Sequence, residues 1–283
     1  MNARWFLKRT LKWGVELGMA ASGIGFMYRN TEAFRTGQRI LTYHRVSKCP
    51  ADSHSISIEH FRQHMAFLAD HYPVVGLEQM VFGLTGHSPA VNRAVAVTFD
   101  DGYCEAATTV AEILLRYHIP ATFFVITGVL DNQGWSQKNS HVDWQGVMDL
   151  HRAGFSIGSH ATNHVSLGNL EESAVEHEML NSFQRITAEI GEPPAGLAYP
   201  YGTRRDFTPE TGRIARKVGY RYAATAVHGL NRPGCDPSTL RRTTITAGDG
   251  LKSFRMIMKG HLDPWVLVDR WAYRFQRTAT DSA

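Results

Sequence analysis

Cysteine is scarce in this chain of 283 residues. Its three cysteines, Cys49, Cys104 and Cys235, are odd in number and far apart. That excludes a disulfide framework and a cysteine-rich zinc ribbon, and it leans toward a reducing compartment. Charge of one sign is lacking too: 30 lysines and arginines against 26 acids leave a net charge of +4. No basic stripe is interleaved with stacking aromatics, so nothing reads as a nucleic-acid surface. Internal repeats and low-complexity stretches are absent. The length fits one α/β barrel domain rather than two domains.

A long uninterrupted apolar run is also missing. At the N-terminus Arg4, Lys8 and Lys12 recur on one helical face, and Trp5, Phe6, Leu11, Trp13, Val15 and Leu17 supply apolar bulk. Glu16 and the four glycines from Gly14 to Gly25 break the segment up. A secretory signal needs an unbroken apolar centre and a small-residue cleavage site, and a spanning helix needs about twenty apolar residues. The interruptions argue against a cleavable signal, and the segment is marginal as a spanning helix. It reads as an interfacial helix, basic on one side and aromatic on the other, with a helix packed on the barrel's own surface as the alternative. The chain is therefore expected at a membrane surface, the cytoplasmic face being preferred. Residues 1–35 form this segment and residues 36–248 the barrel. Residues 249–283 form a helical extension carrying Met256, Ile257, Met258, Trp265, Trp271 and Phe275.

What is present is chemical. Residues 95–103 read Val-Ala-Val-Thr-Phe-Asp-Asp-Gly-Tyr, a buried strand ending in two adjacent carboxylates and a glycine that permits a sharp turn. Neighbouring side chains on a strand point to opposite faces, so Asp100 and Asp101 can do different work. Buried carboxylates are costly unless paired or bound to a metal, so this strand end asks for a cation. Some sixty residues on, Phe155–Ser159 reads as a second short strand, followed by His160 and His164. In a helical turn, two imidazoles four residues apart share one face. Two histidines and one carboxylate make a metal site that keeps open positions. His60 and His64 have the same spacing but lie in an amphipathic helix capped by Ser57, with Phe61, Met65 and Leu68 as its buried stripe. They read as part of a solvated face. A third piece, Ala198-Tyr199-Pro200-Tyr201-Gly202, is a defined turn after a strand.

Strand-like runs fall at Ile40–His44, Val95–Phe99, Ala121–Ile126, Phe155–Ser159, Gly196–Ala198 and Tyr222–Thr225, with helical patterns over Cys104–Tyr117, Asp143–Arg152 and Glu171–Ile190 between them. Alternation of this kind predicts a parallel sheet. The candidate residues sit at C-terminal strand ends, where such barrels place their active sites. The excursion Asp131–Ser140, with Gly134 and Trp135, reads as a surface loop.

Taken together, Thr-Phe-Asp-Asp-Gly-Tyr, Ser-His-x-x-x-His and Tyr-Pro-Tyr-Gly, in this order, resemble the polysaccharide deacetylases. These are carbohydrate esterase family 4, also called the nodulation-protein-B homology domain. The resemblance spans Arg39 to Thr246. It implies a distorted (β/α) barrel with fewer than eight strands and removal of N-acetyl groups from an N-acetylated glycan or lipid-linked sugar. It assigns Asp100 as catalytic base and Asp101, His160 and His164 as ligands of a divalent metal, zinc first, with Co2+, Ni2+ or Fe2+ admitted by the same donors. The backbone N–H of Tyr201 would line the oxyanion hole. The chain departs from the pattern in two places. Many members begin the third motif with an Arg held against the catalytic Asp; here that position is Ala198, and Arg204 and Arg205 are the arginines nearby in sequence. Many end with a Leu-x-His strand that carries the general acid, which Lys259-Gly260-His261-Leu262 matches poorly. The strand Arg39–Val46, ending in His44, matches better and resembles the circularly permuted exopolysaccharide deacetylases, which implies His44 as the acid. A histidine merely closing a strand stays open as the alternative. Two rival functions share the fold: hydrolysis of cyclic amides, and an inactive glycan-binding or assembly subunit.

Overall fold

The computed structural model describes residues 3–50, 52–131 and 140–267, with backbone only for residues 3–8. The side chains of Arg4, Trp5, Phe6 and Lys8, most of the 131–140 loop with Gly134 and Trp135, and Trp271 and Phe275 lie outside the described residues.

Three helices, α1 (Ala3–Ala21), α2 (Ile24–Arg29) and α3 (Glu32–Arg35), precede the first strand, β1 (Arg39–Tyr43). Two short strands, β2 (Arg45–Ser47) and β3 (Ser55–Ser57), follow, then α4 (Ile58–His71), α5 (Leu77–Leu84) and β4 (Val95–Phe99). The alternation continues through α6 (Thr109–Arg116), β5 (Ala121–Val125), α7 (Thr127–Leu130), α8 (Trp144–Arg152), β6 (Ser156–Ser159), α9 (Glu172–Ile190), β7 (Gly196–Ala198), α10 (Pro209–Val218) and β8 (Tyr222–Ala224). It closes with β9 (Thr243–Thr244) and α11 (Leu251–Met258).

Seven strands form one sheet in the order β8-β7-β6-β5-β4-β1-β9, and every pairing is parallel. A single bridge, Ala224 to Leu240, ties β8 to the segment entering β9, so the curled sheet comes back on itself. This is the distorted barrel with fewer than eight strands. All residues of β1, β4 and β5 are buried, the pattern of parallel strands covered on both faces. The core runs from Leu41, Val97, Phe99 and Phe123 outward to Phe254, Ile257, Leu262 and Trp265, so residues 254–265 of the C-terminal extension pack into the barrel's own core.

Two local expectations are corrected. The helix expected over Cys104–Tyr117 is broken: residues Cys104–Ala107 form a tighter turn and α6 starts only at Thr109. The Cys104 N–H is drawn to the Ser140 carbonyl at 2.9 Å and Tyr103 bridges His141, which pulls the segment's start away from the helix axis. The second correction concerns His64. Ser57 caps α4 by accepting the His60 N–H, and Phe61, Met65 and Leu68 are buried as expected. His64 is fully buried with them rather than solvated, 3.1 Å from the Tyr43 hydroxyl and stacked on Phe254 at 3.8 Å. Burial, reinforced by His60, pushes it down to about 3, so it is a neutral core residue.

The N-terminal helix lies on the barrel. Glu16 of α1 is buried and accepts from the Ser253 hydroxyl of α11 at 3.1 Å. Val15 packs against the core, while Leu11, Trp13 and Leu17 remain exposed. Among the described residues no helix is long and apolar enough to cross a membrane.

Candidate active site and metal centre

Three strand ends converge on one pocket. It has a volume of about 410 Å³ and is lined by His44, Asp100, Asp101, His160, His164, Tyr201 and Arg242, among others. His261, the C-terminal alternative to His44, is not among them; it is buried beside Gly25 of α2, away from the pocket.

Asp101 follows β4 with a left-handed φ of 71°, and Gly102 continues the turn at 72°. The two histidines are not brought together by a helical turn. The segment after β6 is irregular, with Ala161 (62°) and His164 (54°) in the left-handed region. Tyr201, after β7, is left-handed too, at 60°. Non-glycine residues enter this region at a cost and tend to do so where surrounding structure fixes them. Four of the six such residues among those described sit in these three turns.

Glu178 does much of the fixing on the histidine turn. This buried carboxylate of α9 accepts the N–H groups of Thr162 and Asn163 at 3.1 and 2.9 Å and the Asn163 amide at 2.6 Å. Nothing in the local pattern of a long polar-faced helix distinguished Glu178 from its neighbours.

The Nε2 atoms of His160 and His164 each lie 3.5 Å from Asp101 Oδ1, and one donor atom from each of the three falls within 4.8 Å of the others. Ligands about 2.1 Å from a tetrahedral ion sit about 3.4 Å apart, so the spacing fits. The chemistry fits as well. His160 Nδ1 donates to the Ala198 carbonyl at 2.7 Å, which leaves the Nε2 lone pair facing Asp101. Burial, with His160 beside it, pushes His164 down to about 4, against the pull of Asp101, so it stands neutral and able to ligate. Two nitrogens and one carboxylate oxygen hold an ion while leaving coordination positions open.

Asp100 has a separate environment. Arg242 grips it with both arms, Nη1 to Oδ1 and Nη2 to Oδ2, each at 2.7 Å, and both side chains are almost fully buried. The guanidinium is itself held by the Thr225 carbonyl at 2.8 Å and the Phe124 ring. Burial pushes the Asp100 carboxyl up, but Arg242 and His160 outweigh it and hold it at about 2. Arg242 was not foreseen, and neither Arg204 nor Arg205 pairs with Asp100. The only local signal for Arg242 was its place directly before the short strand β9 and close to the buried Leu240. Ala198, where the motif arginine was missed, contributes its carbonyl to His160 instead.

His44 follows β1, half-buried, with its Nδ1 buried and unpartnered among the described residues and its ring 4.9 Å from that of His54. The Tyr201 N–H finds no acceptor among the described residues. Gly202 must be glycine: its φ is 61°, and a Cβ there would meet the Ala226 nitrogen at 2.5 Å. Cys104 is half-buried, does not line the pocket, and is held by Glu105.

Residues 87–223 match the family model described as polysaccharide deacetylase. The chain is similar to YxkH of Bacillus subtilis (strain 168), with 25% identity over 74% of this chain and 71% of that protein. It is 23% identical to the poly-beta-1,6-N-acetyl-D-glucosamine N-deacetylase of Staphylococcus aureus (strain MSSA476), over 73% of this chain and 78% of that one. Among solved structures, IcaB from Ammonifex degensii superposes with a TM-score of 0.70 at 25% identity, covering 80% of this chain and 97% of that chain. The family match contains Asp100, Asp101, His160, His164 and Tyr201. His44 and Arg242 lie outside it, one just after β1 and the other just before β9, two strands that are neighbours in the sheet.

Proposed function

Residues 87–223 are a polysaccharide deacetylase domain, and from that premise we propose that the chain hydrolyses N-acetyl groups on an N-acetylated glycan with the help of one divalent ion. One observation carries the proposal. Two adjacent acids at a strand end are separated into a three-donor ion site and an arginine-clamped carboxylate, within one pocket.

Asp101, His160 and His164 would hold the ion, zinc first, with cobalt, nickel or iron suited to the same donors. When bound, such an ion polarises an acyl carbonyl and makes water more acidic. The chain's own groups do the rest. Asp100, ionised throughout the working pH range, accepts the proton of the attacking water, and Arg242 keeps its two oxygens in place. The Tyr201 N–H donates to the developing oxyanion, a contact worth about 3–4 kcal/mol when preorganised. His44 delivers a proton to the departing amine, without which an amide nitrogen leaves poorly.

The substrate is an extended glycan chain rather than a monosaccharide. The pocket adjoins a second cavity of about 360 Å³ through Lys12, His54 and Thr246, which line both, and Trp13 of α1 lines the second. We assign the relatives' type of substrate, N-acetylated polysaccharide, to this groove. We also assign a membrane-surface contact to the N-terminal segment, supported by the exposed Ile24, Phe26 and Met27 of α2.

The test is acetate release from N-acetylglucosamine oligomers of increasing length, with cyclic amides and ureides in parallel and bound metal measured on the same preparation. Release that rises with chain length supports the proposal. Turnover of ring amides alone, or protein that takes up no metal under any supply, overturns it.

A further inference from the structure

At the opposite end of the barrel from the active site lies an open depression of about 690 Å³ that the proposed reaction does not use. Five cations line it: Arg29, Arg35, Arg93, Arg255 and Lys259. Among the described residues none of the five has a carboxylate partner within 4 Å. The whole chain carries a net charge of only +4, so this cluster is a local excess and not a sample of a basic surface. The cations are organised by aromatic rings. Arg93 stands between Phe34 and Tyr72, at 5.6 and 5.2 Å from their centroids, and Arg255 lies 5.2 Å from the Phe67 ring. Burial first, then Arg29 and Lys259, push nearby His261 down, against the weaker pull of Asp263.

The helix that brings Arg29 to this depression also bears three exposed large apolar side chains, two of them the most exposed among the described residues. On α2, Ile24, Phe26 and Met27 are 54%, 65% and 71% exposed. Apolar knobs beside an uncompensated basic hollow are what a lipid–water boundary recognises: acyl chains for the knobs, phosphate for the hollow. We infer that this face docks on an anionic membrane, with a lipid headgroup phosphate seated among Arg29, Arg35, Arg93, Arg255 and Lys259 and the α2 knobs entering the acyl layer. The inference rests on the membrane-surface contact proposed above and names the lipid chemistry it requires. It also orients the enzyme. Apart from Arg255 and Lys259 of the α11 region, the depression gathers residues that precede β1 and β4, whereas the active site lies beyond the far ends of those strands, about 17 Å away for five-residue strands. The pocket then faces away from the lipid, toward a glycan in solvent rather than a sugar at headgroup level.

The test is co-sedimentation of the full chain with vesicles of phosphatidylcholine alone and of phosphatidylcholine with phosphatidylglycerol, at low and high salt. Binding to the anionic vesicles, weakened by salt, is expected. Each exposed cation removed should lower it about fivefold, so Arg35→Gln/Arg255→Gln/Lys259→Gln should lower it about a hundredfold. The same variant should keep its thermal midpoint and its acetate release from soluble oligomers. Equal binding to neutral and anionic vesicles, or unchanged binding by the triple variant, overturns the headgroup site and leaves the membrane contact standing. Binding to neither vesicle, or only to a soluble polyanion such as heparin, overturns both.

Discussion

Arg242 reaches Asp100 across 142 residues of sequence and meets both of its oxygens at 2.7 Å. The pair is buried, so its two members are interdependent. Removing one side of such a pair leaves an uncompensated charge and costs about 3–5 kcal/mol. Arg242→Met should lose stability on that scale, read as the urea midpoint, and should lose acetate release with it. Arg242→Lys keeps the charge but not the fork, and should recover part of the stability and little of the activity. Adding Asp100→Asn to Arg242→Met should restore part of the lost stability. A double variant whose loss equals the sum of the singles would show that the pair is not what the two substitutions disturb.

The two acids should also separate in metal content. Asp101→Ala, His160→Ala and His164→Ala should each empty the ion site, and a chelator should do the same to the wild type. Asp100→Asn should retain near one ion per chain and lose turnover, since Asp100 is engaged by Arg242 and is not one of the converging donors. Elemental analysis beside acetate release reads both. Metal loss in Asp100→Asn would show that the division of labour is wrong.

Glu178 touches neither ion nor substrate in this arrangement. It positions the histidine turn through the Thr162 and Asn163 N–H groups. Groups that orient a metal ligand from behind are typically worth about 10–100-fold in metal affinity. Glu178→Ala should weaken metal binding by that order, and Glu178→Gln, which keeps one acceptor, by less. Competition against a chelator of known affinity measures it, and excess metal should restore turnover in both variants if the role is positional.

The fold and half of the site were legible in the sequence for a simple reason. Buried parallel strands are written as short apolar runs, and β1, β4, β5, β6 and β7 fall where Ile40, Val95, Ala121, Ile157 and Gly196 announce them. Asp100, Asp101, His160 and His164 stand next to those runs, so reading the strand locates them. Arg242 and Glu178 are different. Each acts through a partner in a turn well separated in sequence, and its own neighbourhood shows only a charged residue ahead of a short strand or on a polar helix. The histidine pair was found by a spacing argument that the backbone does not obey. The i, i+4 separation suggested a helical turn, whereas two left-handed residues and a carboxylate staple bring the rings to 4.9 Å.

His44 should be needed in proportion to the difficulty of the leaving group. An amide nitrogen must be protonated to depart, while a nitrophenolate leaves unaided. His44→Ala should therefore lose about 10²–10⁴-fold on N-acetylglucosamine oligomers, the usual worth of general acid–base catalysis, and far less on 4-nitrophenyl acetate. His261→Ala, buried beside α2 and outside the pocket, should leave both substrates nearly unaffected. Equal losses on the amide and the activated ester would remove His44 from the acid role.

Docking of α1 should depend on pH through Glu16. Burial first, then the Asp249 carboxylate, raise this group from 4.5 to about 7, against the weaker pull of the Ser253 hydroxyl and Lys12. The sign follows from which state holds the proton. Below about pH 4.5 both the folded and unfolded chains carry it, and pH has no effect through this residue. Between 4.5 and 7 the folded chain keeps the proton that the unfolded chain has released, so each rise in pH costs stability. Above 7 the folded chain has lost it too, and Glu16 and Asp249 face each other as buried charges. The α1 wall of the groove, which carries Lys12 and Trp13, should thus loosen as pH rises through 7. Glu16→Gln keeps a group for Ser253 and removes the ionisation. Its thermal midpoint should stay level between pH 5 and 8.5, relative to a wild type that declines over 5 to 7, and hydrogen exchange in α1 should report the same difference. A wild type and a Glu16→Gln variant with parallel pH profiles would show that Glu16 ionises in the folded chain as it does in water.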